Sequence, residues 1–143
     1  MPMRNLRQRK GNAVIELTLL MPWVLFLFIG TLDLGFYWYS LIAVENATRI
    51  AAEHTSKSLT TAASQSAACD KVRPELTSLP NAGSFSSTCD AAPLTVTAAQ
   101  VTIDGAAATS VSVTYQGISM IPIPGLVMGR LNVTRNVQMR VQP

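Results

Sequence analysis

The feature that most constrains this chain of 143 residues is an uncharged apolar run near its N-terminus. Residues 17–32 contain no charged side chain, and apolar character resumes after Asp33. At about 1.5 Å per helical residue the uncharged run extends roughly 24 Å, so a helix from about residue 13 to residue 39 covers the hydrocarbon layer of a membrane. We therefore expect a transmembrane helix, with aromatic residues 36–39 forming a belt at its outer interface.

The basic residues are concentrated just before this run, at Arg4, Arg7, Arg9 and Lys10. By the positive-inside rule they hold the N-terminus in the cytoplasm and send residues 40–143 across the membrane. They also account for the net charge of +3, because the chain after residue 11 carries seven basic and eight acidic side chains. A nucleic-acid binder needs basic residues spread over a folded surface, so the sequence argues against a nucleic-acid partner.

A secretory signal peptide also begins with basic residues and an apolar segment. Here the apolar stretch is too long for that, and the bulky residues 36–39 follow it in place of a small-residue cleavage site. A lipoprotein signal needs a cysteine directly after the apolar segment, whereas the first cysteine is Cys69. A permanent single-pass anchor is therefore the favoured interpretation.

A glycine and a glutamate mark the start of the apolar run. Gly11 follows Arg9 and Lys10, and Glu16 is the fifth residue after Gly11. A carboxylate deep in a membrane helix costs about 3 kcal/mol, and less near the interface. Glu16 is therefore a functional candidate, although a position within reach of headgroup water would also explain it.

This combination resembles the leader and cleavage site of type IV prepilins. The resemblance implies that a membrane prepilin peptidase cuts between Gly11 and Asn12 on the cytoplasmic side, while the helix from Asn12 onward stays in the membrane. Gly11 has no side chain, so its backbone can enter a tight protease cleft. Cleavage would leave an ammonium group on Asn12 at the edge of the hydrocarbon, and Glu16 of the same or a neighbouring subunit is its natural partner.

Among prepilin-like families the chain is most similar to the TadE-like pseudopilins of the tight adherence (Tad, type IVc) pilus system. The similarity is carried by residues 11–17, 20–22, 30–36, 44–52, 111–115 and 131–140. It implies a minor pilin or pseudopilin that contributes to pilus biogenesis and adhesion. Its expected partners are the prepilin peptidase, other pilin subunits, the pilus assembly platform and membrane lipid.

Two other functions remain open. A type II secretion pseudopilin would share the leader, and a single-pass anchored periplasmic domain that binds cell-wall material would keep the Gly11 bond intact. We expect no enzyme activity, because one histidine, His54, and two cysteines do not supply a catalytic arrangement. The same residues are too few for a zinc site, so we expect no metal and no cofactor.

Beyond the membrane, small apolar residues such as Val44, Ala47 and Ala51 recur at helical spacing. We expect the helix to continue over residues 41–68, with the Ser/Thr-rich stretch 55–66 as frayed helix or linker. Cys69 and Cys89 both lie outside the membrane in this topology, where cysteines pair. Their disulfide would close a loop of about twenty residues and stabilise the head by roughly 3 kcal/mol.

From residue 94 the apolar periodicity changes to two, which predicts strands. Val101 and Ile103 fall out of phase, which suggests a bulge, and Asp104 with Gly105 marks a turn. Further strands are expected over 111–115 and 131–141, where Arg135 interrupts an otherwise apolar face. The apolar, proline-rich segment 118–128 between them is expected to be a contact patch or a cap on the core.

The sequence thus predicts an α+β protein with a long N-terminal transmembrane and periplasmic helix, followed by a small antiparallel β-sheet head with one disulfide. The expected division is a basic leader (1–11), a transmembrane helix (12–40), a periplasmic helix extension (41–68) and a β-rich head (69–143). The expected location is the bacterial inner membrane, with the head in the periplasm or carried into an extracellular pilus.

Overall fold

One helix dominates the molecule. The computed structural model describes residues 7–118 and 132–142, with side chains described from Ala13 onward. Helix α1 spans Arg7–Thr55, 49 residues that include Pro22, and at 1.5 Å per residue it is roughly 74 Å long. The predicted transmembrane helix and the first half of the predicted periplasmic extension are therefore a single helix.

The helix ends at Thr55 and does not continue over residues 41–68 as predicted, whereas the linker that the sequence also allowed over residues 55–66 is present up to Ser64. The hydroxyl of Thr55 donates to Ala51 O at 3.0 Å, and the hydroxyl of Thr61 donates to Thr55 O at 3.0 Å. The second bond gives a partner to a carbonyl in the last turn of α1, where carbonyls lack partners within the helix. Ser64 then caps a second helix, α2 (Gln65–Glu75), by accepting a hydrogen bond from Ala67 N.

The remaining elements form a four-stranded antiparallel sheet in the order β1-β2-β3-β4. The strands are β1 (Asp90–Ala91), β2 (Leu94–Ile103), β3 (Ala106–Gln116) and β4 (Asn132–Arg140), and one short 3₁₀ turn, Ala82–Ser84, precedes them.

The hairpin between β2 and β3 has the predicted turn but not the predicted bulge. Pairing runs without interruption from Leu94 opposite Tyr115 to Ile103 opposite Ala106, so Ile103 simply faces the other side of the sheet. Asp104 and Gly105 both have positive φ, 50° and 79°. This is the geometry of a two-residue hairpin turn, for which Asp-Gly is a favoured sequence.

The core lies between the helices and one face of the sheet. Small residues of α1, Ala47 and Ala51, are fully buried, which lets the helix backbone approach the strands closely. The core also contains Val44, Val72, Leu76, Leu94, Val96, Val111, Val113, Tyr115 and Val133. The prediction of an antiparallel sheet with one buried face, covered by the helix, is confirmed.

The predicted disulfide is also present. Cys69 of α2 and Cys89, the residue before β1, are bonded and buried, at a sequence separation of 20. The bond ties α2 to the start of the sheet. The apolar segment predicted over 118–128 lies outside the described residues, except for Ile118, which is exposed.

Candidate functional site

The N-terminal half of α1 stands apart from the rest of the protein. No side chain from residue 13 to residue 39 is buried, and Ser40 is the first that is. We call residues 13–39 the bare stretch. Large apolar side chains dominate it, and Leu19 and Trp23 are each 68% exposed. A soluble protein rarely exposes a continuous apolar surface of this size. The helix is long and apolar enough to cross a membrane.

The bare stretch has the right length and chemistry for lipid. From residue 13 to residue 36 it extends about 36 Å, compared with about 30 Å of hydrocarbon. Two of its hydroxyl groups bond within the helix: the Thr18 hydroxyl donates to Val14 O at 2.7 Å, and the Thr31 hydroxyl donates to Leu27 O at 2.8 Å. Both hydroxyls are therefore satisfied without water, as a bilayer requires.

Glu16 is the acidic residue within the first half of this stretch. Its side chain is exposed, and it has no ion pair or hydrogen bond within residues 13–118 and 132–142. It lies four helical positions after Asn12, which is one turn or about 6 Å along the axis. Gly11 and Asn12 are both in the helical part of the backbone. The predicted cleavage residues and Glu16 are therefore brought together at the start of the bare helix.

The head begins directly where the bare stretch ends. The Tyr39 hydroxyl donates to the Ser78 hydroxyl at 2.8 Å, and Tyr37 packs against the core. These two members of the predicted aromatic belt therefore also hold the head against the helix. Nothing in the local sequence indicated these contacts, because Ser78 is far from Tyr39 along the chain.

A second set of contacts fixes the sheet to the loop after α2. The Tyr115 hydroxyl donates to Asn81 Oδ1 at 2.6 Å, and Asn81 Nδ2 donates to Gln116 O at 2.9 Å. The Phe85 ring lies edge-on to the Tyr115 ring, with the centroids 6.2 Å apart. Tyr115 is 1% exposed, and this burial raises the pKa of its phenol above the ordinary value of 10.0.

The raised pKa of Tyr115 makes the head sensitive to alkaline pH. The phenol ionises in the unfolded chain before it ionises in the folded one, so the free energy of unfolding should fall as pH rises past about 10. Tyr115→Phe should lose this pH dependence, at a cost of about 1 kcal/mol at neutral pH for the lost hydrogen bond. Urea unfolding of the full chain in detergent at several pH values measures both effects. Tyr39→Phe, at an exposed hydroxyl, should keep the pH dependence.

Arg135, which interrupts the apolar face of β4, contacts the helix. Its Nε atom lies 3.7 Å from Glu45 Oε2 of α1. Both side chains are partly exposed, at 41% and 57%, so the pair contributes little to stability. His54 is half-buried, and within the described residues no group of His, Cys, Asp and Glu side chains is arranged to hold a metal ion.

Over residues 7–118 and 132–142, the fold and the exposed half of α1 define a protein with one potential membrane-spanning helix and a small disulfide-bonded α+β head. Residues 11–53 match the model of the TadE-like protein family. The match begins at Gly11 and includes both the bare stretch and most of the part of α1 that covers the sheet, and it confirms the predicted TadE-like resemblance over this segment. Comparison with curated proteins and with solved structures gives no match.

Proposed function

We propose that this protein is a minor pilin or pseudopilin of a Tad pilus system, anchored in the bacterial inner membrane with its head in the periplasm. The observation that carries this proposal is the exposed apolar stretch of α1 that follows Gly11 and contains Glu16, within the segment that matches the TadE-like family. The pilus in turn would contribute to adhesion.

The proposed processing fits the position of Gly11 within α1. The Gly11–Asn12 bond lies in helical backbone, and glycine is less favourable in a helix than alanine by about 1 kcal/mol, which eases local opening at this point. Local opening would present the Gly11–Asn12 bond to the peptidase in extended form, while the basic residues keep it at the cytoplasmic surface.

The test is the N-terminal sequence and intact mass of the protein from native membranes, with and without the prepilin peptidase. We expect a start at Asn12 only when the peptidase is present. Gly11→Leu should block this cleavage, because the added side chain prevents close approach of the backbone. The matched control is Gly35→Leu on the same helix, where a Cβ atom meets nothing within 4 Å, and cleavage there should be normal.

Two results would overturn the proposal. A start at Met1 or Pro2 in the presence of the peptidase would leave a permanently anchored periplasmic domain. Cleavage at Asn12, with type II secretion subunits as the proteins that co-purify, would assign the subunit to that machine. Co-purification with other Tad pilins and the Tad assembly platform is the expected result.

A further inference from the structure

Close to the head, helix α1 has two different sides. One side packs against the sheet and α2, where Val44 and Ala51 are fully buried. Successive residues of a helix are about 100° apart, so Ile42 lies about 200° from Val44, on the opposite side. Trp38 and Asn46 lie four positions before and after Ile42 and therefore share its side. We call Trp38, Ile42 and Asn46 the outward face of α1.

The outward face stays apolar past the point where the head begins. The head begins at Tyr37, which packs against the core. Trp38 and Ile42, however, are 58% and 63% exposed, like the side chains of the bare stretch. The first charged residue after them is Glu45. On this side the exposed apolar surface therefore continues for about five residues beyond Tyr37, which is about 7.5 Å along the axis.

The head side of the helix has polar groups at the same level. The bond from the Tyr39 hydroxyl to the Ser78 hydroxyl, at 2.8 Å, places the loop after α2 at the level of residue 39. Ser78 and Thr77 are exposed, and so is Glu75, three residues before Ser78. Hydroxyl and carboxylate groups that enter hydrocarbon lose their hydration, which is costly. This side of the molecule is therefore suited to water.

A helix parallel to the membrane normal would not suit both sides. If the hydrocarbon ended at the level of Tyr37, Ile42 would be left in water on the outward face. If it ended at the level of Ile42, Ser78 and Thr77 would lie in lipid on the head side. A tilt of α1 towards its outward face removes this conflict, because it lowers the outward face into the lipid and raises the head side out of it.

Two lengths agree on the size of this tilt. An offset of about 7.5 Å between the two sides of a helix about 10 Å wide corresponds to a tilt of roughly 35°. Residues 13–36 extend about 36 Å, and a similar angle fits this length into about 30 Å of hydrocarbon. Transmembrane helices tilt by up to about 40°. The tilt is therefore one that a bilayer accommodates.

The charge beyond Ile42 is complementary to phospholipid. Arg49 is exposed and lies seven positions after Ile42, two turns further along the same side. It lies four positions from both Glu45 and Glu53, yet it forms no ion pair with either. A long basic side chain at this distance from the hydrocarbon reaches back to the phosphate groups of the membrane surface.

We propose that the outward face of α1 binds phospholipid of the outer leaflet, with Trp38 and Ile42 on the acyl chains and Arg49 on the phosphate groups. The helix then leans with this face towards the membrane and carries the head on its upper side, so that Ser78 stays in water. This inference rests on the proposed function, which supplies the membrane anchor, and it adds the direction in which the anchored subunit leans.

Fluorophores on single cysteines measure the depth of each side. The two native cysteines are joined in a disulfide, so a maleimide labels the introduced cysteine. The full chain is placed in phosphatidylcholine liposomes that contain a lipid with a nitroxide high on its acyl chain, which quenches nearby fluorophores. Ile42→Cys should be quenched more strongly than Thr77→Cys. A helix parallel to the membrane normal would reverse this order, because Thr77 follows the level of residue 39.

Matched variants make the test specific. Leu27→Cys, in the middle of the bare stretch, should be quenched by a nitroxide deep in the acyl chain. Asn46→Cys, one turn beyond Ile42 on the outward face, should be quenched less than Ile42→Cys. Adding Arg49→Ala to Ile42→Cys should reduce the quenching, whereas Arg49→Lys, which keeps the charge, should preserve it.

The outcomes separate this inference from the proposed function. Quenching of Thr77→Cys that equals or exceeds that of Ile42→Cys overturns the tilt. Leu27→Cys quenched without Ile42→Cys overturns the lipid contact and leaves the anchor standing, and unchanged quenching after Arg49→Ala overturns the phosphate contact. An unquenched Leu27→Cys overturns the anchor and this inference together. The peptidase-dependent start at Asn12 tests the pilin function independently of these results.

Discussion

Glu16→Ala should leave cleavage at Gly11 intact and abolish incorporation of the subunit into assembled pili. The cut bond is several residues away, so the peptidase still meets the same leader. After the proposed cleavage the ammonium group of Asn12 would lie at the edge of the hydrocarbon, where an unpaired charge costs several kcal/mol. Glu16 is one helical turn away on a bare helix and has no partner within the described residues. It is therefore available to a neighbouring subunit.

The measurement is the fraction of subunit recovered in sheared surface fibres compared with the fraction left in membranes. Glu16→Gln, which keeps the shape but not the charge, should fail in the same way. Thr18→Ala is the control on the same helix, because its hydroxyl bonds only to Val14 O of its own chain. Normal piliation by Glu16→Ala would contradict the pairing of Glu16 with the N-terminus.

Removing the disulfide should cost the head about 3 kcal/mol of unfolding free energy, as expected for a closed loop of about twenty residues. The loop between Cys69 and Cys89 contains Leu76 and Leu79, both buried. Without the bond, the segment that carries these core residues has more conformational freedom in the unfolded chain, which lowers the free energy of unfolding. Replacing both cysteines by alanine avoids placing new hydroxyl groups in the core, and the loss is measured by urea unfolding of the full chain in detergent.

A reducing agent provides the matched comparison. It should destabilise the native protein by a similar amount and leave the double alanine variant unaffected. Unchanged stability of both proteins would show that packing, and not the bond, holds α2 against the sheet. The head should then resist proteases equally well with and without the reductant.

The sequence predicted those elements that follow from a single local preference, either the burial of apolar side chains or the conformation of a turn. The apolar run specified the bare helix, and alternation along β2, β3 and β4 specified a one-sided sheet. The Asp104–Gly105 turn followed from the positive φ that these residues tolerate. The position of Glu16 near Gly11 could be predicted as well, since the two residues are five positions apart on one continuous helix.

The features that were missed depend on contacts between distant parts of the chain. The linker over residues 55–66 was one of the expected alternatives, but the bond from Thr61 to Thr55 at its start was not. The out-of-phase residues Val101 and Ile103 continue an unbroken strand and are half-buried on its other face, so their periodicity does not reflect a bulge. The bonds from Tyr39 to Ser78 and from Arg135 to Glu45 likewise join residues that no local pattern connects.

The continuity of α1 has a mechanical consequence. The residues that hold the head, from Ser40 to Thr55, share one helix with the bare stretch, and no loop between them can absorb a displacement. In the proposed membrane orientation, a force that lifts the head by one helical turn therefore moves Glu16 by the same distance, about 5.4 Å, along the membrane normal. In the opposite direction the head would limit the movement of the helix, because Ser78 meets the helix at Tyr39. The proposed anchor would then yield to an outward pull on the head but not to an inward one.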